Sequence, residues 1–354
     1  VANCDEETVR DLAVVCKIWG FMKFYHPEIS MGNYNMDREL FQLIPPVLNA
    51  GSKEKRNDIL YKWVSGFGAV TPSYTDYAFS PDQIKMYPDL DWLEDSFDLG
   101  EKLSRRLKDI KNAERNSDTT SYVVFPYGSS AFLWKENSYN EYPSYDTGYR
   151  LVGLFRLWNA VQYYFAYKYL IEEDWDVVLE KFIPQFINTD GELGYKLAVL
   201  KLLTCLEDSH ARILSPENGS DPTKIHPDIA KWEGEFMLPF EVTFIEEKAV
   251  ITDFYSVKNE DKSDYPFRIG DVILSINHEP VDSIVRRKLV YTPASHYAGK
   301  LKKIATSVLR SGNNRISVSY ERNNELLSGE YNAYPVSDIH ISNRTRKDLP
   351  AYTH

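Results

Sequence analysis

The chain has 354 residues, with 52 Asp and Glu against 41 Lys and Arg, for a formal net charge of −11. Its 43% hydrophobic and 26% charged residues are typical of a folded protein and exclude a mainly disordered chain. An acidic protein repels phosphate backbones, so we expect no nucleic acid partner. At roughly 150 residues per domain, two or three domains are expected.

Metal, cofactor and membrane signals are weak along the whole sequence. The cysteines Cys4, Cys16 and Cys205 have neither the number nor the spacing of a disulfide framework or zinc site. The sequence contains no His-Glu-x-x-His pattern and no Gly-rich phosphate loop. We therefore expect no metal and no cofactor. No apolar run approaches the roughly 18 residues that a transmembrane helix needs, so no transmembrane segment is expected.

The first two thirds of the chain contain an internal repeat. The residues of one copy recur in the second at a constant offset of 139, the separation of Trp19 from Trp158. The offset has no gap and pairs Leu12 with Leu151, Tyr25 with Tyr164, Asp37 with Asp176, Ile44-Pro45 with Ile183-Pro184, Asn49 with Asn188 and Lys62 with Lys201. Apolar residues in each copy recur at helical spacing. The pattern predicts two helical units, over residues 1–110 and 121–232.

Tyrosines are concentrated where the second copy begins. This segment, residues 122–149, contains Tyr122, Tyr127, Tyr139, Tyr142, Tyr145 and Tyr149. Two interpretations stay open: the rings form a stacking surface for sugars or peptides, or they cover the edge of a hydrophobic core.

The pattern changes near residue 234 to the alternation of β strands. Phe240, Val242 and Phe244 alternate with polar residues, and so do Ile316, Val318 and Tyr320. A helical stretch from about residue 298 ends before Gly312. We predict a small β-rich domain over residues 234–336 with one main helix. The expected fold class is multidomain α+β, a duplicated α-helical region followed by this domain.

One stretch of the β-rich domain resembles bacterial PDZ domains. Gly270-Asp271 is followed by the apolar run Val272-Ile273-Leu274-Ser275-Ile276-Asn277, with His278 where a glycine is usual. In PDZ domains a peptide adds as a strand beside the main helix, and its carboxylate is held by the amides of a preceding loop. The resemblance implies a peptide site at Leu238, Phe240, Glu241, Val242 and Phe244. Because Pro239 lacks an amide hydrogen, we expect weak selection for a free C-terminal carboxylate.

A helical region followed by a PDZ-like domain resembles the C-terminal-processing, or tail-specific, serine peptidases, including the tricorn core type. The phrases that carry this resemblance are Leu157-Trp158-Asn159, Asp174-Trp175-Asp176, Ile183-Pro184 and Leu206-Glu207-Asp208-Ser209-His210-Ala211. The resemblance implies peptide or unfolded protein substrates, a periplasmic or extracellular location, and an α/β catalytic domain after the PDZ domain that carries the serine nucleophile. The residues after Tyr320 are too few for that domain. We expect residues 337–354 to be a linker toward a catalytic domain that this chain lacks.

His210 is the candidate catalytic residue. Tricorn-type members resemble this sequence in placing a Ser-His pair before the PDZ domain, which implies that His210 is the base and Ser209 its neighbour. The first repeat has Ala69-Val70-Thr71 where the second has Asp208-Ser209-His210, so the shared fold does not require the polar triplet. The alternative is that His210 caps the C-terminus of the preceding helix.

A non-enzymatic function remains as the alternative to the peptidase. In it, the protein is a surface binding protein for peptide or glycan, with the tyrosine-rich segment contacting the glycan. Because the nucleophile domain is missing, we expect this chain alone to be inactive in either case. A gene that continues into a domain with a serine nucleophile would favour the peptidase.

Overall fold

The computed structural model describes residues 4–73, 88–115, 122–124, 132–133, 136–139, 146–214, 226–258 and 265–344. The chain divides into two compact units, Val1–Ala198 and Val199–His354. The first unit is helical and the second is rich in β strands, which confirms the predicted α+β class. Along the described chain, no helix has the length and apolar character of a membrane span.

Nine α-helices are described in the first unit, and the last of them crosses the division between the units. Their bounds are α1 Glu6–Tyr25, α2 Pro27–Ser30, α3 Met36–Leu48, α4 Lys53–Ser65, α5 Ser96–Leu99, α6 Glu101–Lys111, α7 Thr147–Tyr164, α8 Trp175–Ile187 and α9 Gly191–Thr204. Two short strands, β1 Val123–Val124 and β2 Phe132–Leu133, pair antiparallel.

The helix bounds confirm the duplication. Helices α3 and α8 are offset by 139 residues at both ends, and α4 and α9 end at the same offset, as do α1 and α7. The two repeats also share their internal hydrogen bonds. Trp19 Nε1 donates to the Met36 carbonyl at 2.7 Å, and Trp158 Nε1 donates to the Trp175 carbonyl at 2.7 Å. Equivalent residues therefore occupy equivalent places in the two copies.

Side-chain caps fix where the repeated helices begin. Asn35 Oδ1 accepts from the Arg38 amide at the start of α3, and Asp174 Oδ1 accepts from the Asp176 and Val177 amides at the start of α8. Asn35 and Asp174 are repeat equivalents, and both residue types favour the N-cap because a short acceptor satisfies free amides there.

The two copies contact each other through reciprocal ion pairs. Lys17 Nζ lies 2.6 Å from Asp176 Oδ2, and Arg156 donates to Asp37 Oδ2. Lys17 is the repeat equivalent of Arg156, and Asp37 is that of Asp176. Each copy therefore places its basic residue against the acidic residue of the other, as subunits do across a two-fold axis. The copies pack with pseudo-two-fold symmetry.

Equivalent residues also meet near the pseudo-two-fold axis. The rings of Phe24 and Tyr163, which are repeat equivalents, lie 5.5 Å apart. Gly20 faces its own equivalent, the buried Asn159, whose Nδ2 donates to the Cys16 and Phe155 carbonyls at 3.1 and 2.9 Å. A Cβ atom on Gly20 would lie 1.9 Å from Asn159 Oδ1. Glycine is therefore required in one copy by the asparagine of the other.

We predict that Gly20→Ala destabilises the protein, although alanine is the better helix former by about 1 kcal/mol. The added methyl group displaces the Asn159 side chain from its hydrogen bonds, so the free energy of unfolding should fall by about 1–3 kcal/mol. Urea denaturation measures the change. The control is Gly20→Ala/Asn159→Ala, whose loss should be smaller than the sum of the single losses by more than about 0.5 kcal/mol. Additive losses would contradict the close approach.

Within its described residues, the second unit contains three complete α-helices and most of the strands. Its helices are α10 Pro227–Glu233, α11 Val281–Leu289 and α12 Tyr297–Ala305. Its strands are β3 Phe236–Met237, β4 Phe240–Ile245, β5 Lys248–Val257, β6 Val272–Ile276, β7 Glu279–Pro280, β8 Arg310–Ser311, β9 Arg315–Arg322, β10 Glu325–Asn332, β11 Tyr334–Pro335 and β12 Ile339–Arg344. Among the described strands, the main sheet has the order β10-β9-β6-β5-β12, with β4 on β5 and β7 on β6. The short strands β11, β3 and β8 form a separate sheet.

Tight turns set the register of this sheet. Glu246-Glu247, Asn277-His278 and Asn323-Asn324 each have two consecutive positive φ angles, which matches the two-residue turns that fit twisted hairpins. His278, in place of the usual glycine, adopts φ 65°. Gly270 supplies the φ of 97° that the predicted turn before β6 requires. Asp271 Oδ2 then accepts from the Arg268 amide at 2.8 Å, and Arg322 donates to the same carboxylate.

The β-rich region extends beyond residue 336. Residues 339–344, within the segment predicted to be a linker, form β12, which pairs antiparallel with the end of β5. Residues 345–354 lie outside the described residues. The other domain limits expected from the sequence, near residues 110, 121 and 232, stay predictions.

Candidate functional site

The candidate peptide site is the edge of β4 that faces away from β5. Strand β4 pairs antiparallel with β5, so that Ile245 lies opposite Lys248 and Val242 lies opposite Ile251. Helix α12 packs against β4. The two-residue turn makes Ile245 and Lys248 a hydrogen-bonded pair. By alternation, Val242 and Phe244 direct their N–H and C=O groups away from β5.

The hydrogen bonds of Ile251 agree with this alternation. Ile251 lies opposite Val242, and its amide donates to the Asp271 carbonyl at 2.9 Å while its carbonyl accepts from the Gly270 amide at 2.9 Å. Ile251 therefore uses its backbone groups on the other edge of β5. The matching groups of Val242 point away from β5.

The predicted peptide-binding residues differ in the solvent exposure of their side chains. Leu238, Phe240 and Val242 are buried in the core of the second unit, whereas Glu241 and Phe244 are half-buried. The side chains of the first three residues are therefore unavailable to a peptide. Along this edge, the backbone of β4 is the part that can pair with an added strand.

The loop before β4 is poorly suited to hold a carboxylate. Pro239 has no amide hydrogen. The Phe240 amide donates to the Leu238 carbonyl at 2.9 Å, and the Pro239 carbonyl accepts from the Tyr255 amide at 2.8 Å. Two consecutive positions of the loop therefore offer no free N–H group, which extends the expectation drawn from Pro239 alone.

Helix α12 packs against β4. Its N-cap is His296, whose Nδ1 accepts from the Gly299 amide at 3.0 Å. Leu301 and Ile304 are buried in the same core as β4. Because both elements are anchored in one core, the spacing between α12 and the β4 edge is set by packing.

The second candidate site is the His210 loop, residues 206–211. Asp208 Oδ1 accepts from the His210 amide at 2.8 Å and lies 3.0 Å from His210 Nδ1. A carboxylate is an acceptor, so this contact places the proton of a neutral imidazole on Nδ1. The His210 side chain is 92% exposed, which leaves Nε2 accessible. An imidazole oriented by a carboxylate with an open Nε2 has the arrangement of a general base.

The structure does not bear out the helix-capping alternative for His210. Helix α9 ends at Thr204, and the turn after it is closed by backbone bonds from Leu206 to Leu203 and from Glu207 to Thr204. Within the described chain, the imidazole of His210 bonds to Asp208 and to no carbonyl of α9. The sequence analysis assigned no role to Asp208, and the structure shows that it orients His210.

Ser209 anchors the His210 loop. Its Oγ lies 2.9 Å from Ser295 Oγ and accepts from the Ser295 amide at 3.0 Å. Lys303, on α12, donates to the Ser209 carbonyl at 2.8 Å and to the Pro293 carbonyl at 2.6 Å, and partial burial lowers the pKa of Lys303. Ser295 and Lys303 lie 86 and 94 residues from Ser209, so no local pattern predicts these contacts.

Half of the clustered tyrosines lie within the described chain. Tyr122 donates to the Tyr34 carbonyl at 2.9 Å and Tyr139 to Asp37 Oδ2 at 2.8 Å, and the ring of Tyr149 lies 4.7 Å from that of Tyr139. Burial raises the pKa of both Tyr122 and Tyr139 to about 12. These three tyrosines pack within the helical unit, as the core-covering interpretation expects. Tyr127, Tyr142 and Tyr145 lie outside the described residues.

We predict that Ser209→Ala loosens the His210 loop. The substitution removes the hydrogen bonds to Ser295, each worth about 1 kcal/mol net, so the Ser295 amide should exchange with solvent faster. Hydrogen exchange measured by NMR tests this. Ser337→Ala, an exposed serine elsewhere in the second unit, serves as control. Unchanged protection of the Ser295 amide in Ser209→Ala would contradict the anchoring role.

The comparisons with known proteins identify one domain. Residues 233–322 match the PDZ domain family. No curated protein matches the chain. Among solved structures, mature CPAF complexed with lactacystin is similar, with a TM-score of 0.37, 13% identity, and coverage of 52% of this chain and 34% of that chain. A mutant of CPAF has a TM-score of 0.38, 15% identity, and coverage of 53% and 34%. The chain thus spans about a third of the length of those proteins.

Proposed function

We propose that the second unit binds an extended peptide along β4 and recognises peptide or unfolded protein substrates for a serine peptidase. The observation that carries this proposal is the edge of β4 that faces away from β5, with which no other described strand pairs, in a region that matches the PDZ domain family and where α12 packs against β4. PDZ domains bind peptides by strand addition. An unfolded protein supplies such extended segments, whereas the strands of a folded protein are already paired.

Main-chain pairing supplies most of the attraction in this proposal. The outward N–H and C=O groups of Val242 and Phe244 pair with alternate residues of the peptide, and each bond contributes about 0.5–1.5 kcal/mol net. Because ordering the peptide opposes this gain, we expect modest affinity. The half-buried Phe244 adds a contact for one peptide side chain.

The His210 loop supports the enzymatic part of the proposal. His210, oriented by Asp208, would act as the general base for a serine nucleophile in a catalytic domain outside this chain. The tail-specific class, and with it a periplasmic or extracellular location, rests on the sequence resemblance. The geometry of Ser209 favours a structural role for that residue, because its Oγ bonds to Ser295.

We predict that free-acid and amidated forms of the same peptide bind the chain with similar affinity. The reason is that the loop before β4 offers no amide at Pro239 and a committed amide at Phe240. Isothermal titration of an unstructured peptide in both forms measures the difference. A free acid that binds more than about tenfold tighter, a difference of about 1.4 kcal/mol, would contradict this prediction.

A second peptide series tests strand addition itself. N-methylation of alternate peptide residues removes the N–H groups that pair with β4, whereas methylation of the intervening residues leaves them intact. We expect one alternate set to lose binding and the other to keep it. Because the change is made in the ligand, the protein fold is unaffected. Equal loss from both sets, or none from either, would exclude binding as an added strand.

For the His210 loop, we predict that the chain alone hydrolyses no peptide. In a protein that joins this chain to a domain with the serine nucleophile, His210→Ala should lower kcat by about 100-fold or more, as expected for loss of a general base. The exposed side chain makes a loss of folding stability small. His340→Ala, another exposed histidine of the second unit, is the matched control. Wild-type kcat in His210→Ala would exclude His210 as the base.

A further inference from the structure

The connection between α7 and α8 exposes three large apolar side chains. Tyr167, Tyr169 and Leu170 are 59%, 67% and 59% exposed. Lys168–Leu170 form a 3₁₀ turn, and residues three apart lie on the same side of such a turn, so Tyr167 and Leu170 are neighbours. Single exposed apolar residues are ordinary, whereas a group of them marks an interaction site. We call residues 167–170 the tyrosine turn.

The first repeat shows that the shared fold does not require this surface. The repeat equivalents of the two tyrosines are Glu28 and Ser30, and that of Leu170 is Met31. Helices α1 and α7 end at equivalent positions, and α3 and α8 begin at equivalent positions, so the connection has the same length in both copies. Two aromatic rings therefore face solvent at positions where the same fold accepts a carboxylate and a hydroxyl group.

A small acidic cleft adjoins the tyrosine turn. It has a volume of about 180 Å³, and Tyr169 lines it together with four carboxylates. These are Asp89, Glu173, Asp174 and Asp176. The volume is below the range of small-molecule sites, about 300–1,000 Å³. The cleft therefore suits a single long side chain better than a whole small molecule.

The charge of this surface indicates the charge of its partner. Three lysines each pair with one carboxylate: Lys17 with Asp176, Lys168 with Asp89 and Lys181 with Glu173. The carboxylate of Asp174 caps α8, and the neighbouring Glu172 is exposed, so these carboxylates outnumber the lysines by five to three. The three paired carboxylate side chains are each at least 37% exposed. They therefore keep acceptor sites open to a further cation.

We propose that this surface binds a basic segment of a partner protein, with one Lys or Arg side chain in the cleft and an apolar neighbour on the tyrosine turn. The carboxylates balance the positive charge, and an exposed ring beside them, that of Tyr169, is suited to a cation–π contact. A second copy of the chain is disfavoured, because its net charge of −11 has the same sign as the surface. The inference is independent of peptide binding at β4, because its residues all belong to the first unit.

Two peptides that differ in one residue, titrated into the full chain, test the charge of the partner. They are N-acetyl-Ala-Leu-Lys-Leu-Ala carboxamide and the same peptide with Glu in place of Lys. In NMR spectra, the amide signals of the tyrosine turn report binding at this surface, and those of Val242 and Phe244 report binding at β4. We expect the Lys peptide to shift the signals of the turn and to bind there about tenfold or more tightly than the Glu peptide. Its affinity for the turn should fall as the salt concentration rises.

Variants test whether the tyrosine turn forms the site. Tyr169→Ser, which introduces the residue of the first repeat, should weaken binding of the Lys peptide about fivefold through loss of the cation–π contact. Leu170→Ser should weaken it by a similar factor, about fivefold, through loss of apolar contact. Met31→Ser, the same change at the repeat equivalent of Leu170, is the matched control and should leave binding unchanged. All three side chains are exposed or replaced by the residue of the other repeat, so we expect the variants to fold as the wild type does.

Two kinds of result would overturn the proposal. One is equal affinity of the two peptides for the turn, or unchanged affinity of the Lys peptide in either Tyr169→Ser or Leu170→Ser. The other comes from sedimentation velocity, where we expect a monomer. A wild-type dimer that Leu170→Ser dissociates would assign the surface to a second copy of the chain instead.

Discussion

The approach of Gly20 to Asn159 is the constraint on which the helical unit depends. At this position the two repeats come so close that one copy has no side chain, and the other uses its amide to bond the backbone of both. With that contact fixed, the reciprocal pairs of Lys17 with Asp176 and of Arg156 with Asp37 come within bonding distance on either side. The pseudo-two-fold arrangement therefore follows from one close contact and two ion pairs.

In the second unit, the path of a few residues before β4 determines what the edge of the sheet can bind. The bond from the Phe240 amide to the Leu238 carbonyl turns the chain tightly into the strand. It also uses an amide that a carboxylate would otherwise need. Downstream, the Glu246-Glu247 turn fixes the alternation of β4, so the groups of Val242 and Phe244 point outward. The same local geometry thus favours strand pairing and disfavours recognition of a chain terminus.

The sequence predicted the fold where its signal was periodic or repeated. The 139-residue offset located α3, α4 and their equivalents because both copies keep the spacing of their apolar core residues. Alternation predicted β4 and β9, and the Gly270-Asp271 turn predicted the start of β6. The site was less predictable. Burial of Leu238 and Phe240 depends on packing, and the bonds of Ser209 to Ser295 and Lys303 join residues far apart in sequence.

Positions at which the two repeats differ are informative, because both copies have the same helical fold. If equivalent positions carry different residue types, the shared fold does not require either type. The difference then has a cause outside the helix that contains the residue. Gly20 and Asn159 differ because each faces the other. His26, whose equivalent is Phe165, is buried, and its ring lies 5.9 Å from that of Phe67. His210, whose equivalent is Thr71, is exposed and oriented by the Asp208 carboxylate, so packing does not account for it. The duplication thus separates residues kept for folding from those available for binding or catalysis.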